Sequence, residues 1–358
     1  MSGPPQALLV SYASALGGGE RILLDRAAAL DGPAVVACPA GPLADAVRER
    51  GLELVELRPR RAELRGSARD RAGAPLRLAA QAAEVRAAIR RLAPGCVVGW
   101  SMRGLLSCAA ALSTVRGAPP LVFAHNDLLP SPGVARAVRA AARRSAAVVA
   151  LSAAIAEDLE LDATVIHPGV DLRRFTASPL PAGTPRVLVL GALVGWKRPD
   201  LALEIAARSH VSLHLAGAPL DDSGHELLAR LRARADQPDL RGRVEIPGHG
   251  QDAAEALSQA TCLLHCADRE PFGVVMAEAL ARGRPVVAPA SAGSLEVVDP
   301  TCGVLYRPGD PDAGARALAD VIERAAEMSA PARARAEERF DARFSNHRFA
   351  ELIAEVAR

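Results

Sequence analysis

Short apolar runs alternate with Ala-, Leu- and Arg-rich stretches along nearly the whole chain. The first set of runs is ALLVSY (7–12), AVVAC (34–38), LELVEL (52–57), CVVGW (96–100), LVFAH (121–125), AVVAL (147–151) and TVIH (164–167). After a gap come RVLVLG (186–191), VSLHLAG (211–217), RVEIPG (243–248), CLLHC (262–266), PVVAP (285–289) and GVLY (303–306). Strands this apolar lack an outer polar face, so they predict parallel sheets covered by helices on both sides. Two sets predict two doubly wound α/β domains. Between them, RRFTASPLPAGTP (173–185) holds three prolines and no periodicity, which reads as a linker. The stretch from about 330 is helical and polar. In open α/β sheets ligands bind outside the carboxyl ends of the strands, and the motifs below fall on such ends.

Composition narrows the function classes. The 358 residues are half apolar, with a net charge of +2, which does not fit a nucleic-acid binder. No apolar run reaches the roughly 18 residues of a membrane span. MSGPPQALLV has no charged region ahead of its short apolar run, so no signal peptide is expected. The six cysteines form no C-x-x-C pair. CLLHC, the one cluster resembling a metal site, reads as buried thiols on a strand. The chain is expected to be cytoplasmic. One segment departs from this balance: residues 58–91 carry ten Arg against three acids. It is read either as a contact to an anionic lipid, an anionic acceptor or the inner face of a membrane, or as a solvated, arginine-biased loop.

Lys197 is the only lysine among 43 Lys and Arg residues. A compact ammonium survives where a planar guanidinium does not fit, and it suits a point-charge contact to phosphate. Other candidates cluster on loops. ALGGGER (15–21) brings Gly18 and Gly19 to a helix start, where backbone amides favour a phosphate or sugar oxygen. It does not fit the dinucleotide pattern G-x-G-x-x-G. FAHNDLLP (123–130) puts His125 and Asn126 at a strand end. HPGVDLRRF (167–175) marks a turn before the linker. DREPFGVVMAEALARGRPVVAP (268–289) places Glu270 on a loop and Glu278 inside the helix that follows. Main-chain amides from Phe272, Gly273 and Val274 onward lie at that helix start.

Taken together, GGGER, HPGVD, G-x5-K, E-x7-E and EPFG…EA…G-x-PVV resemble the retaining glycosyltransferases of family 4, across nearly the whole chain. The resemblance implies the GT-B architecture, two Rossmann-like domains facing a cleft. The expected boundaries are 1–172 for an acceptor-binding domain, 173–185 for the linker and 186–343 for a nucleotide-sugar-binding domain. Residues 344–358 are then a helix crossing back to the first domain. By this resemblance Lys197, with Arg198, contacts the donor diphosphate, Glu278 the ribose and Glu270 the donor sugar. His125 lies beside that sugar, and Gly18 and Gly19 near the phosphates. The expected donor is a UDP- or GDP-sugar, the acceptor a hydroxyl not identified, with no metal and no other cofactor. Two departures stand out. Ala192 replaces an Arg that commonly shares the diphosphate, and Ala292 replaces one of a usual glycine pair. The alternatives are a non-catalytic nucleotide-sugar-binding subunit, favoured by Ala192, and a nucleotide-sugar epimerase of the same architecture.

Overall fold

The computed structural model describes residues 4–60 and 73–358. The chain divides into two units, residues 1–168 with 343–358, and residues 169–342. Residues 61–72 of the Arg-rich segment lie outside the described residues.

In the first unit seven parallel strands run in the order β3-β2-β1-β4-β5-β6-β7. They are β1 (Ala7–Val10), β2 (Ala34–Pro39), β3 (Glu53–Leu57), β4 (Cys96–Trp100), β5 (Leu121–His125), β6 (Ala147–Ala150) and β7 (Thr164–Val165). The second unit repeats the scheme with six strands in the order β10-β9-β8-β11-β12-β13. Here β8 is Arg186–Leu190, β9 Ser212–Ala216, β10 Val244–Glu245, β11 Cys262–Leu264, β12 Val286–Pro289 and β13 Gly303–Tyr306. Every strand pair is parallel, and the central strands β1, β4, β5, β11 and β12 are fully buried, as their unbroken apolar runs require. The order reverses between β1 and β4 and again between β8 and β11. These are the switch points at which doubly wound sheets open a crevice. One edge of each sheet is a two-residue strand, β7 or β10, which leaves little to extend a ladder.

Local signals set the helix starts. Ser152, Asp221 and Asp252 accept from Ile155, Gly224 and Glu255 main-chain N–H groups at 2.9–3.1 Å, each satisfying an otherwise orphaned donor.

The segment 173–185, read as a linker, belongs to the second unit. Phe175 is buried, and arginines hold the main chain around it. Arg333 donates to Phe175 O, Arg282 to Thr176 O, and Arg284 to Ser178 O and Pro179 O, at 2.7–2.9 Å. The chain passes between the units at Pro168–Gly169 and at Ala342–Arg343. Beside these crossings Val170 N donates to Phe340 O at 2.7 Å and Ala342 N to Val170 O at 3.1 Å. A side chain on Gly169 would collide with Ala342 Cα, so this close passage requires glycine. The helix Ala342–Val356 then packs on the first unit. Its Phe349 lies under the buried Arg26 guanidinium at 4.8 Å, and its Ser345 donates to His167 O.

Candidate functional site

In the second unit the loops that follow β8 and β11 meet at the switch point. After β8 the chain passes through Gly191 and Ala192 into a single 3-10 turn, Gly195–Lys197, and then into the helix Pro199–Ser209. After β11 it continues through His265 and Cys266 to Glu270. Lys197 Nζ stands 3.7 Å from Glu270 Oε2, too long for a hydrogen bond but close enough for an ion pair. Lys197 Nζ also lies 5.0 Å from the centroid of the exposed Trp196 ring.

Sequence reasoning did not single out His265. Its Nε2 is 3.2 Å from the same Glu270 oxygen, and both side chains are almost completely buried. The contact falls short of full hydrogen-bond geometry but brings the ring nitrogen directly against the carboxylate. Burial raises the Glu270 carboxyl pKa, but His265 and Lys197 outweigh it and hold the group below its ordinary value. Glu270 is therefore an anion fixed in a nearly fully buried position. Its main chain is fixed as well, since Gly293 N donates to Glu270 O at 3.0 Å.

Arg198 makes a second bridge between the loops. Its guanidinium donates to Asp268 at 3.0 Å and to Asp200 at 3.2 Å. These pairs commit the Arg198 charge within the protein, so Lys197 is the cation of this turn directed at Glu270. Arg198 also sits at φ +52°, where a non-glycine residue is strained.

The helix Val274–Ala281 starts at Gly273 (φ +89°) and carries Glu278 as its fifth residue, partly buried. First-turn amides have no partner within their own helix, so those of Val274 and Val275 are available to an anion. Phe272 contributes main chain only. Its ring is buried and packs edge-on against Phe340 at 5.6 Å. The loop after β12 closes against this turn: a side chain on Gly293 would strike the Phe272 backbone, and Ser291 Oγ donates to Asp268 O. Next to it, Ala292 is held at φ +43°. An L-residue there costs about 1 kcal/mol, so Ala292→Gly is expected to stabilise the second unit by about 0.5–1 kcal/mol in urea unfolding.

In the first unit the candidates collect at the ends of β1 and β5. The helix Gly18–Ala28 begins at the glycine loop, and Gly17 N donates to Glu20 Oε2 at 3.2 Å. A Cβ on Gly18 would meet open space, whereas one on Gly19 would lie 3.1 Å from Asn126 Nδ2. His125 is completely buried, stacks on Phe123 at 4.8 Å and has no hydrogen-bond partner on either ring nitrogen. Burial pushes its pKa down to about 4, so the ring is neutral at physiological pH. Beside it Ser101 takes φ +66° where β4 turns directly into a helix, a strained position that no sequence pattern announced.

All six cysteines are buried and unpaired, and among the described residues no three His, Cys, Asp or Glu side chains gather as a metal site. No described helix is long and apolar enough to cross a membrane.

Residues 16–174 match the family described as Glycosyltransferase Family 4, and residues 173–339 the one described as Glycosyl transferases group 1. A D-inositol 3-phosphate glycosyltransferase of Streptomyces scabiei is 32% identical over 277 residues, covering 67% of this chain and 61% of the relative. One from Geodermatophilus obscurus is 36% identical over 191 residues, covering 47% of this chain and 42% of the relative. The chain thus matches about half the length of these curated relatives. Among solved structures, Anabaena Alr3699/HepE in complex with UDP-glucose superposes with a TM-score of 0.84 at 23% identity, covering 98% of this chain and 100% of that one. Sucrose-phosphate synthase from Thermosynechococcus elongatus gives 0.80 at 19% identity, covering 98% of each chain.

Proposed function

The chain belongs to glycosyltransferase family 4 (glycosyl transferases group 1) and has its GT-B architecture, and from that premise we propose that it is a retaining glycosyltransferase. It moves a sugar from a UDP- or GDP-sugar to a hydroxyl acceptor and needs no metal. The observation that carries the proposal is the meeting of Lys197 and Glu270 on the two loops of the β8/β11 switch point. As the anomeric bond breaks, the nucleoside diphosphate gains negative charge. Lys197 and the amides at Val274 and Val275 stabilise that charge, which is the task a metal would otherwise perform. Glu270, anionic and nearly fully buried, binds the donor sugar hydroxyls and faces the positive charge that develops on the ring. Glu278 holds the ribose. Gly18, Gly19 and His125 act on the donor as the family resemblance implies, His125 as a neutral hydrogen-bonding ring. Arg198 supports the loops and leaves the phosphate to Lys197.

The UDP-glucose complex of the Anabaena protein supports a nucleotide-sugar donor. The acceptor in the relatives' names, D-inositol 3-phosphate, is the first to assay. A thermal-shift screen against UDP-, GDP-, ADP- and TDP-sugars tests the donor site, because a bound ligand raises the midpoint by mass action. A midpoint that no nucleotide-sugar moves would overturn the reading. Turnover is expected to survive EDTA, and NMR coupling constants of the first-formed product are expected to show the donor's anomeric configuration. Loss of turnover in EDTA restored by a divalent ion, or inversion at the anomeric carbon, would sink the corresponding part. Ala192 favours one other reading, a subunit that binds the nucleotide-sugar and does not turn it over. Donor binding with neither transfer nor hydrolysis would select it.

A further inference from the structure

We propose that Trp196 holds Lys197 in place for the diphosphate through the face of its indole ring, a proposal that rests on the reading of Lys197 as the diphosphate contact.

The turn Gly195–Lys197 sets two neighbouring side chains against each other. A 3-10 helix has about three residues per turn, so consecutive side chains leave it about 120° apart and do not ordinarily meet. Here the Lys197 stem folds back, and Nζ lies 5.0 Å from the centroid of the Trp196 ring, within the range of a cation–π contact. The turn that carries both residues is closed by its own main chain. Lys197 N donates to Val194 O and Arg198 N to Gly195 O, both at 3.1 Å. Gly191 supplies another wall. A Cβ there would already touch Lys197, 3.4 Å from Nζ and 3.5 Å from Cδ, so the stem runs close across the glycine. Glu270 Oε2, at 3.7 Å, is the third neighbour.

Packing does not account for the indole. Trp196 is 45% exposed, whereas the other tryptophan, Trp100, is completely buried. Among the described residues the Trp196 side chain makes no hydrogen bond and meets no other aromatic ring, and the ammonium is its polar neighbour. A ring also differs from a carboxylate in what it does to a cation. Asp268 and Asp200 take up the charge of Arg198. A second carboxylate beside Lys197 would do the same and would repel a phosphate. An indole has no net charge, so it restrains the ammonium and leaves the positive charge to the ligand. With alanine at position 192, no second cation of the stretch 191–197 shares the task. A lysine fixed before the ligand arrives has less side-chain freedom to lose on binding. Trp196 is thus a positioning residue: it acts on the diphosphate through Lys197.

A double-mutant cycle, read by calorimetric titration of UDP-glucose and of GDP-mannose, tests this. Each variant is first checked for a native thermal transition. Trp196→Leu is expected to weaken binding roughly two- to fivefold, the worth of a cation–π contact at a partly exposed site. Trp196→Phe keeps a ring face and is expected to retain more of the affinity than Trp196→Leu. In a Lys197→Met background, which keeps a stem and removes the charge, Trp196→Leu is expected to change nothing. Equal weakening in both backgrounds would show that the ring touches the ligand itself. Full affinity of Trp196→Leu in the wild-type background would show that the ring restrains nothing, and a Phe variant no better than the Leu variant would show that its face is not what counts. Any of these overturns the role of Trp196 and leaves the donor site standing. Unaltered affinity in Lys197→Met, or failure of both nucleotide-sugars to bind the wild-type protein, overturns the reading of Lys197, and the role of Trp196 with it.

Discussion

Glu270→Gln is expected to lower kcat by about a hundredfold while leaving affinity for the free nucleoside diphosphate nearly intact. The change keeps shape and removes charge. Glu270 is fixed through its main chain by Gly293 and through its side chain by Lys197 and His265, so the anion is in place before the reaction begins. A preorganised charge in a water-poor site acts most strongly where charge develops, and losing one such interaction costs about 10²-fold or more in rate. Glu278→Gln is the contrast. Glu278 sits within the helix Val274–Ala281, and its assigned partner, the ribose, is remote from the breaking bond. A contact made equally in ground and transition states changes binding and leaves kcat alone. A rise in KM of about tenfold, the equivalent of one hydrogen bond to a charged group, is expected there. Steady-state kinetics and calorimetry with the free nucleotide separate the two residues. Equal loss of nucleotide affinity in both variants, with kcat kept, would refute the division. The depressed Glu270 pKa adds a pH expectation. Its anionic form, and the stability it contributes, are present above the ordinary carboxylate range and lost as pH falls through the lowered value. Activity should therefore persist below the pH at which an ordinary glutamate protonates.

Lys197→Ala is expected to weaken nucleotide-sugar binding by roughly 10- to 150-fold, the worth of a charge-assisted contact of about 1.5–3 kcal/mol. It also removes the ammonium that stands 3.7 Å from the Glu270 carboxylate. Lys197→Arg should recover only part of the loss. The ammonium occupies a gap between the Trp196 ring and the carboxylate, and a planar fork presents its donors in a different geometry. Full activity in the Arg variant would show that the single lysine is an accident of composition.

The doubly wound sheets were legible because parallel strands buried on both faces must be apolar throughout, and few other elements look like that. Lys197 and Glu270 were legible as candidates from position, one as the sole lysine and the other on a loop after a buried strand. Their contact was not, because spacing along the chain says nothing of which loops a switch point brings together. His265 was hidden inside CLLHC, where an apolar run makes any polar member look like strand interior. The proline-rich segment 173–185 misled for the opposite reason. Loop composition is visible in the sequence. The guanidinium-to-carbonyl bonds that fasten it come from Arg282, Arg284 and Arg333, which resemble every other arginine of an arginine-rich chain. Arg198, grouped with Lys197 by adjacency, faces carboxylates that lie two residues and a whole loop away.

Lys197 has a practical corollary in covalent chemistry. Its side chain is 25% exposed, and it is the only ε-amine of the chain. Amine-directed reagents therefore have one side-chain target besides the terminal amine, and that target lies in the pocket. Bound nucleotide-sugar is expected to shield the amine, so the rate of its modification reads occupancy. The same fact warns against amine coupling to a sensor surface, which would tether the protein by its own pocket. The six thiols, all buried, offer no easy substitute.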